Sequence, residues 1–161
     1  MPDMALACMG GSYGGYSTLV GVTMTPDVFC CGVDLVGPAN LVTWMENIPP
    51  YWVPMLPLLK DRVGDYESEE GREFLMSRSP ITYVDQISVP LLVLQGLEDE
   101  VVPPNQSELI VDALKANGVP VAYLAFEGEQ HGFRQAANIK RALDAELCFF
   151  AAEAFKVCLR F

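Results

Sequence analysis

The stretch Met9-Gly10-Gly11-Ser12-Tyr13-Gly14-Gly15-Tyr16 decides how the chain is read. Ahead of it, Met4-Ala5-Leu6-Ala7-Cys8-Met9 is a short apolar run of strand length, and behind it Tyr16 to Met24 reads as a helix. Ser12 therefore sits on a sharp turn between strand and helix, in a G-x-S-x-G pattern. Such a turn is strained, and a Cβ on the flanking residues would collide with the neighbouring strand or helix, which is the steric reason for the glycines. The turn pushes the Ser12 hydroxyl out where a base and a substrate reach it. It also puts the backbone N–H of Tyr13 at a helix N-terminus, aimed at developing negative charge. The bland alternative is a glycine-rich connector, and the rest of the chain decides between the two.

Working outward, Phe29 to Val36 is a second apolar run, ended by Gly37-Pro38-Ala39-Asn40, with Asn40 placed to cap a short helix over 41–46. From Ile48 to Leu59 the chain is rich in proline and aromatics, which predicts no regular structure beyond short helical turns and suits a cover over a site. A helix follows, with Ser68 as cap and Glu69 to Met76 as body, stopped by Ser79-Pro80. Residues 90–95 form a third, continuously apolar strand, as expected in a parallel sheet buried on both faces. Asn105 to Asn117 is an amphipathic helix with Leu109, Ile110, Ala113 and Leu114 on one face and Gly118 as its stop. Val119 to Phe126 is the fourth strand, and a last helix runs from about Ala136 to Lys156 with Ile139, Leu143, Leu147, Phe150 and Phe155 at helical spacing. Strand and helix in alternation predict an α/β fold with a parallel sheet and right-handed crossovers.

The 161 residues suffice for one domain with a real core. Apolar residues make up 51% with no run long enough to span a membrane, so a soluble globular protein is expected, with no membrane partner. The net charge of −11 argues against nucleic acid, which requires basic patches. The cysteines, Cys8, Cys30, Cys31, Cys148 and Cys158, are odd in number and form no C-x-x-C pair, so they read as buried small hydrophobes in a reducing compartment. Met-Pro-Asp at the N-terminus lacks a signal-peptide pattern, and a cytoplasmic location is expected. With one histidine and no phosphate-loop lysine, no metal and no cofactor is expected.

The third strand runs into Gly96-Leu97-Glu98-Asp99-Glu100, and the fourth into Glu127-Gly128-Glu129-Gln130-His131-Gly132-Phe133. Carboxylates and histidine at the C-terminal ends of parallel strands lie where such sheets carry their sites. A serine hydroxyl needs an imidazole to take its proton, and the imidazole needs a buried carboxylate to fix its tautomer. His131 is the only histidine; Asp99, Glu98 and Glu100 compete for the acid. The chain order Ser, acid, His is that of the α/β-hydrolase fold, a three-layer α/β/α sandwich with a mostly parallel sheet.

These motifs carry a family resemblance. Gly10 to Tyr16, Gln95-Gly96-Leu97-Glu98-Asp99 with Val102-Pro103, Glu129 to Phe133, and the Phe74–Tyr83 segment around Ser79-Pro80-Ile81 resemble the catalytic domain of the prolyl oligopeptidase family, serine peptidase family S9. The resemblance covers nearly the whole chain. It implies a serine peptidase acting on peptide or acyl-amino substrates, with Ser12 as nucleophile, His131 as base and Tyr13 N–H as oxyanion donor. It picks Asp99, three residues past the strand-end glycine, as the acid. Aromatics from the region of Trp44, Tyr51 and Trp52 line the substrate pocket in that family. The resemblance also implies upstream strands absent here, so a partial hydrolase domain over 1–161 is expected. Its open sheet edge would pair with another copy or with a missing N-terminal part. A carboxylesterase using the same three residues, or a silent fragment acting only through association, are the competing expectations.

Overall fold

Residues 6–154 are described by the computed structural model. Four strands, β1 (Ala7–Gly11), β2 (Cys31–Leu35), β3 (Leu91–Gly96) and β4 (Val121–Phe126), pair in sequence order and all in parallel. The register sets Gly11 opposite Leu35, Leu35 opposite Leu94, and Gly96 opposite Phe126. The C-terminal ends of the strands therefore finish along one edge, and the turns that leave them meet there.

Helices α1 (Tyr13–Met24) and α5 (Pro104–Ala116) cover one face of the sheet, and α6 (Ala136–Glu153) covers the other. Strand β3 shows why. All six of its residues are buried, and alternation sends Leu91 and Val93 toward Leu19, Val22, Ile110 and Leu114 while Leu92 and Leu94 meet Phe126 and Ala142. Each such leucine contributes about 1.5–3 kcal/mol by leaving water. Between β2 and β3 the chain makes a long excursion: α2 (Leu41–Glu46), a 3₁₀ segment (Pro50–Met55), α3 (Leu56–Arg62), α4 (Glu69–Arg78) and a second 3₁₀ segment (Pro80–Gln86). Asn40 caps α2 by accepting from the N–H groups of Val42 and Thr43, and Ser68 caps α4 by accepting from Gly71 N–H.

The sequence expectations need several corrections. Strand β1 lies later than the apolar run because its ladder with β2 continues to Gly11, and Ser12 N–H extends it by donating to the Leu35 carbonyl at 2.8 Å. Met4 and Ala5 lie outside the described residues. The proline-rich stretch ends in a true helix, α3, since Pro57 occupies its first turn, where a missing N–H costs nothing. On α5, Leu109 is exposed and Val111 is in the core. On α6 three positions of the expected apolar face point outward: Ile139, Leu143 and Leu147 are 39, 58 and 58% exposed. Phe150 meets the sheet as expected, and it is joined there by Phe149 and by Ala142 and Ala145, because small alanines let the helix approach closely. Phe155, Lys156 and Cys158 lie outside the described residues. Cys8 lies on β1 and Cys31 opens β2; burial pushes their thiols up to about 11 and about 12, away from the reactive thiolate. Among the described residues strand β1 has only β2 as neighbour, and Leu6 and Met9 beside that edge are exposed. No helix among the described residues is long and apolar enough to cross a membrane.

Candidate active site

Ser12 adopts φ 58° and ψ −117°, a conformation that L-residues avoid. Close approach makes the turn tight. A Cβ on Gly10 would lie 2.5 Å from the Gly14 carbonyl, and one on Gly15 would lie 2.9 Å from the Gly37 Cα. The steric expectation therefore holds for Gly10 but not for Gly14, the second glycine of the G-x-S-x-G pattern, which has open space within 4 Å; on that side of the serine Gly15 carries the need. Tyr13 opens α1, where its N–H has no intrahelical carbonyl to meet.

Asp99 follows β3 and is only 3% exposed. Its Oδ1 accepts from the N–H groups of Val101 (2.8 Å) and Val102 (2.9 Å), which turns Oδ2 toward His131 Nδ1 at 2.8 Å. His131, in the turn after β4, lies with Nε2 2.7 Å from Ser12 Oγ. A carboxylate accepts only, so the neutral imidazole carries its proton on Nδ1 and Nε2 is left to accept from the serine hydroxyl. Glu98 and Glu100, the other carboxylates of this turn, are exposed. Buried Gln95 holds the turn from below: its Nε2 donates to the carbonyls of Gly96 (2.9 Å) and Val102 (3.2 Å), and its Oε1 accepts from Ser107 at 2.7 Å.

A second buried acid lies under the elbow. Asp34 on β2 is fully buried; its Oδ1 accepts from Gly37 N–H at 3.0 Å and faces Gly15 closely, while Oδ2 has no partner among the described residues. Burial pushes its carboxyl up to about 8, against the pull of the Gly37 N–H. No sequence signal marked this residue.

An apolar cavity of about 450 Å³ opens beside Ser12 and Tyr13, walled by Tyr16, Leu41, Trp44, Trp52, Leu59 and Phe74 among others. Trp44 is fixed by donating to the Val101 carbonyl at 2.9 Å, and Trp52 meets it edge-on at 6.5 Å. Of the three aromatics singled out from the sequence, Trp44 and Trp52 line this cavity. Tyr51 does not; it belongs to a smaller polar cavity of about 250 Å³ with Glu98, Glu100, Gln130, His131 and Arg134. Among the described residues no three His, Cys, Asp or Glu side chains are grouped as metal ligands would be.

The sheet order, the elbow and the polar line at the strand ends are those of the α/β-hydrolase fold. Comparison with known proteins narrows this. The family model described as the prolyl oligopeptidase family (Peptidase_S9) matches residues 3–157, and the chain belongs to that family. It is 49% identical over 135 residues to dipeptidyl aminopeptidase BIII of Pseudoxanthomonas mexicana, covering 84% of this chain and 20% of that protein. Among solved structures it is similar to a Mycobacterium tuberculosis puromycin-hydrolyzing peptidase, with TM-score 0.83 and 40% identity over 92% of this chain and 22% of that one. It is likewise similar to Pyrococcus horikoshii acylaminoacyl peptidase, with TM-score 0.85 and 25% identity over 98% of this chain and 25% of that one. The chain spans about a fifth of the length of the curated relatives it matches.

Proposed function

We propose that this chain carries the catalytic centre of a serine peptidase working through Ser12, His131 and Asp99. The observation that carries the reading is the unbroken line from Ser12 Oγ to His131 Nε2 (2.7 Å) and from His131 Nδ1 to Asp99 Oδ2 (2.8 Å). Ser12 Oγ attacks the substrate carbonyl while its proton passes to Nε2. The imidazolium is stabilised by Asp99, and the Tyr13 N–H receives the oxyanion. Collapse of the adduct breaks the C–N bond, and the leaving amine takes the proton from Nε2. Water then repeats the sequence on the acyl-enzyme and frees Ser12.

The cavity beside Ser12 suits an apolar or aromatic side chain on the acyl side of the bond, with Trp44 and Trp52 as its walls. The peptidase names of the relatives support peptide or acylamino substrates over simple esters. The open β1 edge supports pairing with a further strand, from a second copy or a longer chain.

A fluorophosphonate probe followed by mass spectrometry tests the reading. Labelling at Ser12 is expected, lost in Ser12→Ala and in His131→Ala. A folded chain that does not label, or labels equally in His131→Ala, defeats it.

A further inference from the structure

Glu129 has no place in the Ser12–His131–Asp99 line, yet it is 1% exposed and fully engaged. Its Oε2 accepts from Arg134 N–H at 2.8 Å, and its Oε1 accepts from Gln135 N–H and from the Asn138 side-chain amide, both at 3.0 Å. These donors belong to the entry of α6. Gln135, at the cap position, makes no side-chain cap bond, and the first turn holds no acidic residue. Glu129 supplies the negative charge that a helix N-terminus favours, from the loop before it. Burial would raise its carboxyl, but the Arg134 N–H, the Asn138 amide and the Gln135 N–H outweigh that and hold it below the usual carboxylate range.

The backbone of the same residue points the other way. The Glu129 carbonyl accepts from Glu98 N–H at 2.9 Å, so the turn that bears Asp99 hangs on the residue two before His131. Gly96 permits this approach, since a Cβ there would lie 2.6 Å from the Glu129 carbonyl oxygen. One residue thus joins three pieces: the acid turn, the histidine turn and the first turn of α6.

We propose that Glu129 is a positioning residue. Its anchored carboxylate fixes the histidine turn against the acid turn, so that His131 Nδ1–H stays on Asp99 while Nε2 faces Ser12. It touches no reacting atom and acts only through His131 and Asp99. A merely structural role would be to cap α6, with His131 indifferent to the carboxylate.

His131 is the only histidine, so its imidazole is read without assignment ambiguity in NMR spectra. The test compares the purified chain with Glu129→Gln and Asn138→Ala. It follows the low-field resonance of the His131 Nδ1 proton and the fluorophosphonate reaction resolved into KI and kinact. In Glu129→Gln an amide meets two backbone N–H donors. The His131 resonance is expected to move upfield or vanish by exchange with water. The maximal labelling rate is expected to fall about 10²-fold at unchanged KI, the scale of a misplacement near 1 Å. Asn138→Ala removes one donor of three and should give a smaller change of the same kind. A folded Glu129→Gln that keeps both the wild-type resonance and the wild-type kinact overturns the proposal. If Glu129→Gln does not fold, Asn138→Ala decides, and an unchanged resonance there overturns it. The labelling readout rests on the proposed function, but the resonance does not: a wild-type chain that fails to label while its His131 proton still responds to Glu129→Gln defeats the peptidase reading and upholds the positioning role.

Discussion

The two walls of the site are built by opposite means. Where β3 and β4 end, the wall is polar, buried and bonded atom by atom: Asp99 accepts two backbone N–H groups besides facing His131, and Gln95 and Glu129 make three side-chain hydrogen bonds each. Where the chain crosses from β2 to β3, Trp52, Leu56, Leu59 and Val63 rest by apolar contact on Leu41, Trp44, Met45 and Leu75, and Tyr51, Val53, Met55 and Leu58 stay exposed. Directional bonds fix an atom to a few tenths of an ångström, which proton transfer requires. Apolar contact fixes only volume, which is what receiving a side chain requires.

The largest way to break this contrast is Asp99→Asn. It keeps the size of the side chain but removes the charge that orients His131, and the acylation rate should fall about 10⁴-fold with the fold intact. Glu98→Gln and Glu100→Gln, exposed neighbours on the same turn, should leave it within about twofold; a severe Glu98→Gln defect with an active Asp99→Asn would move the acid role. On the apolar wall, Trp52→Ala should raise KM for substrates with an aromatic acyl-side residue about tenfold at nearly constant kcat, the worth of one aromatic contact. A fall in kcat alone would mean that this wall also sets the chemistry.

A last test, on stability and not on rate, sharpens the contrast between two buried acids. Asp99 has its lone pairs met, whereas Asp34 has one N–H donor and an orphan oxygen, and its carboxyl is pushed up to about 8. Between the ordinary aspartate range and about 8, folded Asp34 holds a proton that the unfolded chain has released. Folding therefore binds a proton, and stability contributed by this group falls as pH rises through that window, by at most about 1.4 kcal/mol per pH unit. Asp34→Asn should flatten the decline in urea midpoint between pH 5 and pH 8. An equally steep decline would show that Asp34 is ionised in the folded protein.

The legible parts of the molecule were those governed by local chemistry. The elbow, the caps at Asn40 and Ser68, and the apolar run of β3 each follow from a few neighbouring residues. The choice of Asp99 as the proposed acid came from resemblance, because Glu98, Asp99 and Glu100 are chemically alike until backbone donors distinguish them. What stayed hidden was set by distant packing. Hydropathy ranks Leu143 and Leu147 above Ala142 and Ala145, yet closeness to the sheet favours the alanines. Tyr51 lies next to Trp52 in sequence, but the 3₁₀ turn sends the two into different cavities. Glu129 stood in a quoted motif, but its donors lie five to nine residues on, in a helix whose entry angle no local pattern gives.

The apolar cavity has a genealogical consequence. Ten of its fifteen lining residues, from Pro38 to Arg78, belong to the single crossover between the adjacent strands β2 and β3. That crossover can be lengthened, shortened or exchanged as one cassette without changing which strand pairs with which. On the proposed peptidase reading, selectivity and chemistry reside in separable segments, and a chimaera carrying a relative's crossover is the unit in which selectivity should travel.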